Sequence, residues 1–250
     1  MRCLVKGAAP ELSIWGLFNQ NIPITAITNS SDVLCWSAKW YGEREILFDS
    51  KGESGSKKML RGVHRLLDEA DVVVHYNGKS FDIPTLNKAF LMHEMPPPAP
   101  YKQLDMLTVA RNVFKFTSNK MDYIAQELKI GEKVKHAGYQ LWIDCMANKS
   151  EAWAKMEKYN KNDVVLLEGI YERFAPWIPN HPAMGMYDKD AVCPLCGGQK
   201  RQCRGPAHAH SVSYQRYQCM ERKKNGRICG KWYRGTDMIN GRAKYVGING

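Results

Sequence analysis

The sequence has 250 residues, 44% of them hydrophobic, which suits one larger domain with a small appendage. No run of about 18 apolar residues occurs and the first residues lack a signal-peptide pattern, so we expect an intracellular, cytoplasmic protein without a membrane span. The net charge is +11, and residues 181–250 hold 13 Lys and Arg against 4 Asp and Glu, a concentration that favours a polyanionic partner.

The predicted elements alternate between strands and helices. Strands are predicted over residues 2–5, 12–18, 32–40, 45–48, 72–74 and 101–107, the last leading into a helix. Helices are predicted over 59–70, 85–93, 120–128 and 151–174, and the Gly/Ser stretch 51–56 is predicted as a loop. This order indicates an α/β domain with a mixed sheet, residues 1–178, and the Pro-rich stretch 176–182 separates it from a basic, cysteine-rich domain, residues 183–250.

The stretch 71–82 combines a short apolar strand with a carboxylate just beyond its end. Val72–Val74 is β-branched and typical of a buried strand, and Asn77-Gly78 breaks it. Asp82 then lies near the start of a helix with Pro84 in its first turn. Open α/β sheets bind ligands at this edge, so the carboxylate either caps the helix or holds a cation, and these residues alone favour the cap.

A second candidate lies on the predicted helix 151–174. Tyr159 and Asp163 are four residues apart and therefore share one helix face, where they could place a cation and a water side by side. A solvated aspartate beside an interfacial tyrosine would show the same spacing, so this pair by itself is a weak signal.

Together these stretches resemble motifs of the DnaQ-like (DEDD) 3′–5′ exonucleases. The stretch 77–82 resembles the second motif and the stretch 159–163 the third, whose leading Tyr marks the DEDDy subgroup. The sequences of residues 15–22, 100–105 and 118–123 also resemble those of phage-encoded members. The resemblance covers residues 1–178 and implies a ribonuclease-H-like mixed sheet flanked by helices. If the gene is phage-encoded, the expected location is the host-cell cytoplasm.

The resemblance implies two-metal hydrolysis of phosphodiesters in nucleic acid, with single-stranded or 3′-ended DNA as the expected partner. Asp82 and Asp163 would be ligands of Mg²⁺ or Mn²⁺, and Tyr159 would orient the attacking water. Asn77 and Lys79 could approach the substrate strand or its phosphates. Asp105 follows a strand and is interpreted as a helix N-cap or as a supporting residue of the site.

The family's first motif, Asp-x-Glu, is missing. Its expected place has the sequence Leu4–Pro10, no Asp precedes Asp32, and the first acid, Glu11, does not match the motif. Two carboxylates neutralise two dications poorly, so we expect weak or absent cleavage. An engineered loss, a naturally inactive relative that binds without cutting, and an unrelated substitute acid all remain open.

The C-terminal domain contains a predicted zinc ribbon. Cys193-Pro-Leu-Cys196 is a metal knuckle, and Cys219 and Cys229 complete a four-thiolate set. Cys203, His208 and His210 compete as ligands, and strands are predicted at 214–218 and 231–234. A redox cysteine pair is less favoured because no thioredoxin-like context surrounds it, and one His-Ala-His is a poor basis for a zinc-dependent nuclease. Cys3, Cys35 and Cys145 are interpreted as buried free thiols.

The ribbon is basic and aromatic at once, which suits contact with phosphates and bases. Its candidate nucleic-acid-binding residues are Arg216, Arg222, Lys223, Lys224, Arg227, Lys231 and Trp232. The alternative to the exonuclease is a non-catalytic nucleic-acid-binding protein on the same fold. The sequence does not indicate protein partners.

Overall fold

A computed structural model describes residues 3–5, 12–14, 27–29, 32–135, 138–179, 181–182, 193–208, 213–223 and 225–239. The chain divides into two compact units, residues 1–171 and 172–250. The finer division into a domain 1–178 and a ribbon 183–250 stays a prediction. None of the helices within the described residues has the length and apolarity needed to cross a membrane.

The strands of the first unit form small sheets of both kinds. Strands β1 (Cys3–Val5), β2 (Leu12–Ile14) and β3 (Ile27–Asn29) make an antiparallel sheet in the order β2-β1-β3. Strands β4 (Cys35–Ala38) and β5 (Leu47–Ser50) pair antiparallel, whereas β6 (Val72–His75) and β7 (Lys102–Asp105) pair parallel. The predicted mixed α/β class is confirmed, although β3 was not foreseen.

Seven helices lie among the described residues: α1 (Lys51–Ser54), α2 (Ser56–Glu69), α3 (Asp82–Met92), α4 (Met106–Val113), α5 (Met121–Glu127), α6 (Gln140–Met146) and α7 (Ser150–Phe174). The loop predicted at 51–56 is wrong, because the Ser50 hydroxyl accepts a hydrogen bond from the Glu53 N–H at 3.2 Å and so caps α1. Helix α6, which was not predicted, is only two turns long and buries Leu141 and Cys145.

Two apolar clusters hold these elements and position α7. The first joins the buried stripe of α2 to α3 and contains Val33, Met59, Leu60, Val63, Leu67, Ala89 and Phe90. The second joins α6 to the start of α7 through Leu141, Cys145, Ala152 and Met156, with Tyr159 packed against it. The ring of Tyr159 is therefore anchored by apolar contacts one turn beyond Met156, which fixes the direction of its hydroxyl group.

The second unit contains an antiparallel sheet in the order β10-β9-β8, formed by β8 (Arg201–His208), β9 (Ser213–Cys219) and β10 (Trp232–Ile239). The predicted strands correspond to β9 and β10, whereas β8 was not predicted. Its sequence, with Gly205 and Pro206 in the middle, lacks the pattern of a regular strand.

Candidate functional site

The carboxyl ends of the parallel strands β6 and β7 bring His75 and Asp105 side by side, because these two residues are paired in the strand register. Asp105 is buried, and its Oδ1 accepts hydrogen bonds at 2.9 Å from the N–H groups of Leu107 and Asn77. One carboxylate thus caps α4 and holds the turn that follows β6. Asp105 therefore serves as a helix cap and as a support of the neighbouring turn at the same time.

The turn between β6 and α3 is tightly constrained. Asn77 adopts a left-handed backbone with φ of 63°, and the Gly78 N–H donates to His75 Nδ1 at 3.1 Å. With Nδ1 as the acceptor, Nε2 of His75 is the nitrogen that donates to Gln103 Oε1, at 3.2 Å. A Cβ at position 78 would lie 2.7 Å from His75 Cγ, so only glycine fits this approach.

Asp82 begins α3 directly after this turn. The residue is exposed, yet the pKa of its carboxyl is raised, chiefly because neighbouring protein atoms restrict its hydration and additionally because the Asp105 charge is near. A bound cation would favour the ionised form and reverse this shift. Asn77 and Lys79 are exposed on the same turn.

The third-motif residues are joined by a lysine that the sequence did not single out. Lys133 Nζ lies 2.7 Å from Asp163 Oδ2 and 3.5 Å from the Tyr159 hydroxyl oxygen. The same ammonium is 5.3 Å from the centroid of the Tyr159 ring. Lys133 lies in an irregular loop after α5, thirty positions before Asp163, so neither helical spacing nor a motif could have indicated it.

The electrostatics of this trio define what each group can do. Burial lowers the pKa of Lys133, but its hydrogen bond and charge interaction with Asp163 outweigh that effect and leave the pKa raised. The pKa of Tyr159 is raised by burial and then by the Asp163 charge, so the phenol stays protonated near neutral pH and can donate to a water. Asp163 Oδ1 is buried and has no hydrogen-bond partner among the described residues, so its lone pairs are unsatisfied there and could serve a ligand.

The predicted carboxylates do not form a complete metal site by themselves. Asp163 is held by Lys133, whereas Asp82 lies near Asp105. Within the described residues, neither aspartate belongs to a group of three or more potential ligand residues whose ligand atoms all converge. The first-motif stretch Lys6–Glu11 lies outside the described residues.

An open cleft of about 870 Å³ lies beside the start of α7. Its charged lining consists of Lys135, Lys149, Lys155, Lys158, Asp144 and Glu151, so it carries an excess of two positive charges. Val134, the residue after Lys133, is one of its lining residues. A nucleic-acid backbone would find complementary charge along this cleft.

In the second unit, Cys193, Cys196, Cys219 and Cys229 converge, with all four Sγ atoms within 4.8 Å of one another. The Sγ atoms of Cys193 and Cys229 are 3.9 Å apart, and those of Cys196 and Cys219 are 3.6 Å apart. Tetrahedral Zn–S bonds of about 2.3 Å would place sulfurs about 3.8 Å apart. This cluster fits a zinc ribbon, while Cys203 is exposed and accepts from Gln215 Nε2 instead.

Local backbone geometry shapes the cluster. The Gly197 N–H donates to the Cys193 carbonyl at 2.8 Å, and Gly197 and Gly230 both have φ of 70°, which suits glycine. Hydrogen bonding from Cys229 lowers the pKa of Cys193 to about 5, whereas burial raises the pKa of Cys219 to about 12. Four neighbouring thiols cannot all ionise without a cation among them, so the donor set suits a divalent ion.

The basic candidates of the ribbon divide into exposed and buried groups. Arg216, Arg222 and Arg227 are exposed and Lys223 is half-buried, whereas Lys224 lies outside the described residues. Trp232 is 46% exposed.

Lys231 differs from the prediction. It is buried, and its ammonium donates to the Ile178 carbonyl at 2.5 Å because the second unit folds its stem inward. Burial also lowers the pKa of Lys231. This lysine therefore stabilises the unit and does not offer its charge to a phosphate.

A comparison with known protein families identifies the superfamily of most of the first unit. A family model described as the RNase_H superfamily matches residues 32–175. The family B DNA polymerase from the hyperthermophilic archaeon Pyrobaculum calidifontis is structurally similar with a TM-score of 0.49 and 17% identity, over 58% of this chain and 22% of the polymerase chain. The similarity thus spans under a quarter of that polymerase. No curated protein matches the sequence.

Proposed function

The chain belongs to the RNase_H superfamily, and we propose that it acts on nucleic acid as a metal-dependent 3′–5′ exonuclease of the DEDDy type, with DNA as the expected substrate. The observation that carries this proposal is the trio of Tyr159, Asp163 and Lys133, in which the phenol and one carboxylate oxygen lie within 3.5 Å of the lysine nitrogen. The second carboxylate oxygen has no hydrogen-bond partner among the described residues.

Each residue has a distinct role in this proposal. Asp82 and Oδ1 of Asp163, which lacks a partner among the described residues, would hold Mg²⁺ or Mn²⁺, which supplies Lewis-acid activation of water and of the scissile phosphate when bound. The Tyr159 hydroxyl donates a hydrogen bond that orients the attacking water. Lys133 pairs with Asp163 and contributes a positive charge beside the phenol. His75 and Asp105 hold the turn that presents Asp82.

A second candidate is a non-catalytic nucleic-acid-binding protein on the same fold. The Lys133–Asp163 ion pair favours it, because an ammonium already neutralises the charge that a second dication would neutralise. The missing Asp-x-Glu motif also favours the non-catalytic candidate. Both observations lead us to expect weak cleavage at most.

Incubation of 3′- and 5′-labelled single-stranded DNA and RNA with Mg²⁺ or Mn²⁺ tests the proposal. We expect slow shortening from the 3′ end that is lost in Asp82→Asn and in Asp163→Asn. Asp71→Asn is the control, since Asp71 is exposed directly before β6 and outside the proposed site. Retained binding with no shortening in any metal would favour the second candidate, and robust shortening by Asp82→Asn would reveal a substitute ligand.

We further propose that the basic segment of the ribbon contributes electrostatic affinity. Neutralising Arg222, Lys223, Lys224 and Arg227 to glutamine should weaken binding and flatten the log–log salt dependence by roughly 0.7–0.9 for each phosphate that these residues neutralise in the wild type. Neutralising four exposed basic residues of α2 (Lys57, Lys58, Arg61 and Arg65) is the matched control. Equal salt slopes for the two variants would show that the segment has no special role.

A further inference from the structure

One face of the ribbon sheet places guanidinium groups over aromatic rings. The Cζ atoms of Arg216 and Arg204 lie 5.2 and 5.8 Å from the centroid of the Trp232 ring. Arg234 Cζ lies 4.7 Å from the centroid of the Tyr214 ring. All three strands contribute, since Arg204 lies on β8, Tyr214 and Arg216 on β9, and Trp232 and Arg234 on β10. We call these five residues the Trp232 face.

The strand register explains why these side chains share a face. Trp232 pairs with Gln218, and Arg234 pairs with Arg216. Because every second side chain of a strand lies on the same face, residues 214, 216 and 218 share one side of β9. Cys219 and Tyr217 fall on the opposite side, where Cys219 joins the cysteine cluster and Tyr217 packs against Tyr233. The cysteine cluster therefore supports the sheet from behind and leaves the Trp232 face open.

The exposure and charge of the Trp232 face indicate its ligand. Trp232 remains 46% exposed although two arginines pack on it, and Arg204, Arg216 and Arg234 are all exposed. Strands β8 and β9 contain no acidic residue, and Asp237 is the one acid in β10. Positive charge thus surrounds an accessible indole ring with little local compensation, and a ligand that alternates anionic groups with flat rings would match this arrangement.

We propose that the Trp232 face binds single-stranded nucleic acid, with one base stacked on the Trp232 ring and the flanking phosphates paired with Arg204, Arg216 and Arg234. This inference rests on the proposed function, which takes nucleic acid as the substrate. It adds that the bound nucleic acid is single-stranded and that one base stacks on Trp232. In a duplex the bases are already stacked on one another, so an isolated ring on a flat sheet could reach only the backbone. A single strand exposes the face of each base and keeps its phosphates within reach of the arginines.

Binding titrations of the full, zinc-loaded chain test the inference. The probes are labelled oligothymidine, oligouridine, an abasic strand of equal length and a duplex, and the variants are Trp232→Ala and the control Trp177→Ala, whose ring is 63% exposed outside the Trp232 face. We expect Trp232→Ala to weaken binding of oligothymidine or oligouridine by about 5- to 150-fold, the usual effect of losing one stacked base. Its salt slope should stay unchanged because the substitution removes no charge, and binding of the abasic strand should change little.

Substitution of the three arginines of the Trp232 face should change the salt dependence of binding, in contrast to Trp232→Ala. Replacing Arg204, Arg216 and Arg234 with glutamine should lower the salt slope by roughly 0.7 per phosphate contact. Arg65→Gln, on the exposed side of α2, is the control and should leave the slope unchanged. An unchanged slope in the Arg204, Arg216 and Arg234 variants would overturn the phosphate contacts.

A fluorescence measurement covers the case in which Trp232→Ala fails to fold. An oligonucleotide should quench tryptophan emission of the wild type and of Trp177→Phe, and this quenching should be reduced in Trp232→Phe, which preserves an aromatic ring. Equal affinity of thymidine and abasic strands, a preference for duplex, or no binding of any strand would overturn the inference. Loss of cleavage with intact Trp232-dependent binding would instead overturn only the proposed nuclease function.

Discussion

At the scale of single residues, Lys133 alters the charge environment of both third-motif residues, Tyr159 and Asp163. Its ammonium occupies the space next to Asp163 and Tyr159, with both ion-pair side chains less than one-third exposed. Removing only the lysine of such an ion pair lowers the free energy of unfolding, because the carboxylate then stays partly buried without a cation. Oδ1 of Asp163 has no hydrogen-bond partner in the described part of the chain, so the carboxylate depends strongly on Lys133 for its stabilisation.

Lys133→Gln should therefore lower the free energy of unfolding by about 1–3 kcal/mol in the absence of metal. Lys161→Gln is the matched control: Lys161 pairs with Glu157 on the same helix, but both side chains are more than one-third exposed, so we expect a change within about 0.5 kcal/mol. Urea unfolding with a chelator present measures both values. Addition of Mn²⁺ should recover part of the loss in Lys133→Gln, and equal losses in the two variants would contradict this account.

Asp82 makes a second residue-scale prediction that depends on pH. The pKa of its carboxyl is raised in the folded protein, so the folded state binds this proton more tightly than the unfolded chain does. The associated stability is fully present below the unfolded value of about 3.9 and is lost as the pH rises through the raised folded value. Asp82→Asn, which cannot ionise, should have a higher Tm than the wild type near pH 7 in a chelator.

Thermal melts from about pH 3 to pH 8 measure this difference, which should vanish at the acidic end, where the wild-type carboxyl is protonated in both states. Added Mg²⁺ or Mn²⁺ should raise the Tm of the wild type more than that of Asp82→Asn, because the ion binds the ionised group. A lower Tm for Asp82→Asn near pH 7 would show that the carboxylate stabilises the fold, as a simple helix cap would.

At the scale of elements, the parallel pair of β6 and β7 organises the second motif. The strands end together at His75 and Asp105, and Asp105 connects the turn of Asn77 to the start of α4. The turn is short, left-handed at Asn77 and closed against His75 by Gly78. Two helices and two strands therefore depend on one buried carboxylate for their relative placement at this edge.

Asp105→Ala should destabilise the protein by about 2–3 kcal/mol, since it leaves one N–H at the helix start and one in the turn without an acceptor. Asp105→Asn retains an oxygen at the same position and should cost less than about 1 kcal/mol. Urea unfolding of both variants measures whether Asp105→Ala is the more destabilising substitution. Equal costs would mean that the negative charge of Asp105, and not its hydrogen-bond acceptor, stabilises this edge.

At the scale of the whole molecule, the two units rely on different sources of stability. The first unit buries apolar clusters between helices and strands. Among the described residues, the second unit buries only four non-cysteine apolar side chains, Phe174, Ala175, Ile178 and Leu195, beside Cys193, Cys219, Cys229 and a lysine. So small an apolar core needs an additional cross-link to hold a small fold. A metal ion at the four thiols would supply that cross-link.

We expect one zinc per chain in the purified protein, measured by elemental analysis. The double variant Cys193→Ser, Cys196→Ser should lose the ion and the ordered structure of the second unit, because two of four thiolates are removed. Cys203→Ser is the control and should keep a full complement of zinc, since Cys203 lies outside the cluster. Zinc retained by the double variant would refute the ligand assignment.

Local sequence alone determined the α/β class, Asp82 at a helix start, Tyr159 and Asp163 on one helix face, and the Cys193–Cys196 knuckle. These features depend on spacing within a few residues or on the order of short elements, which a sequence displays directly. Cys219 and Cys229 were expected to complete the knuckle in competition with Cys203, His208 and His210, and the convergence of the four thiols depends on the tertiary structure. Only tertiary structure decided that Lys133 meets Asp163, that Asp105 holds the turn of Asn77, that Lys231 is buried, and that Arg204 reaches Trp232 across three strands. Each of these contacts joins residues distant in the chain, and its existence depends on strand register and loop path, which local periodicity does not encode.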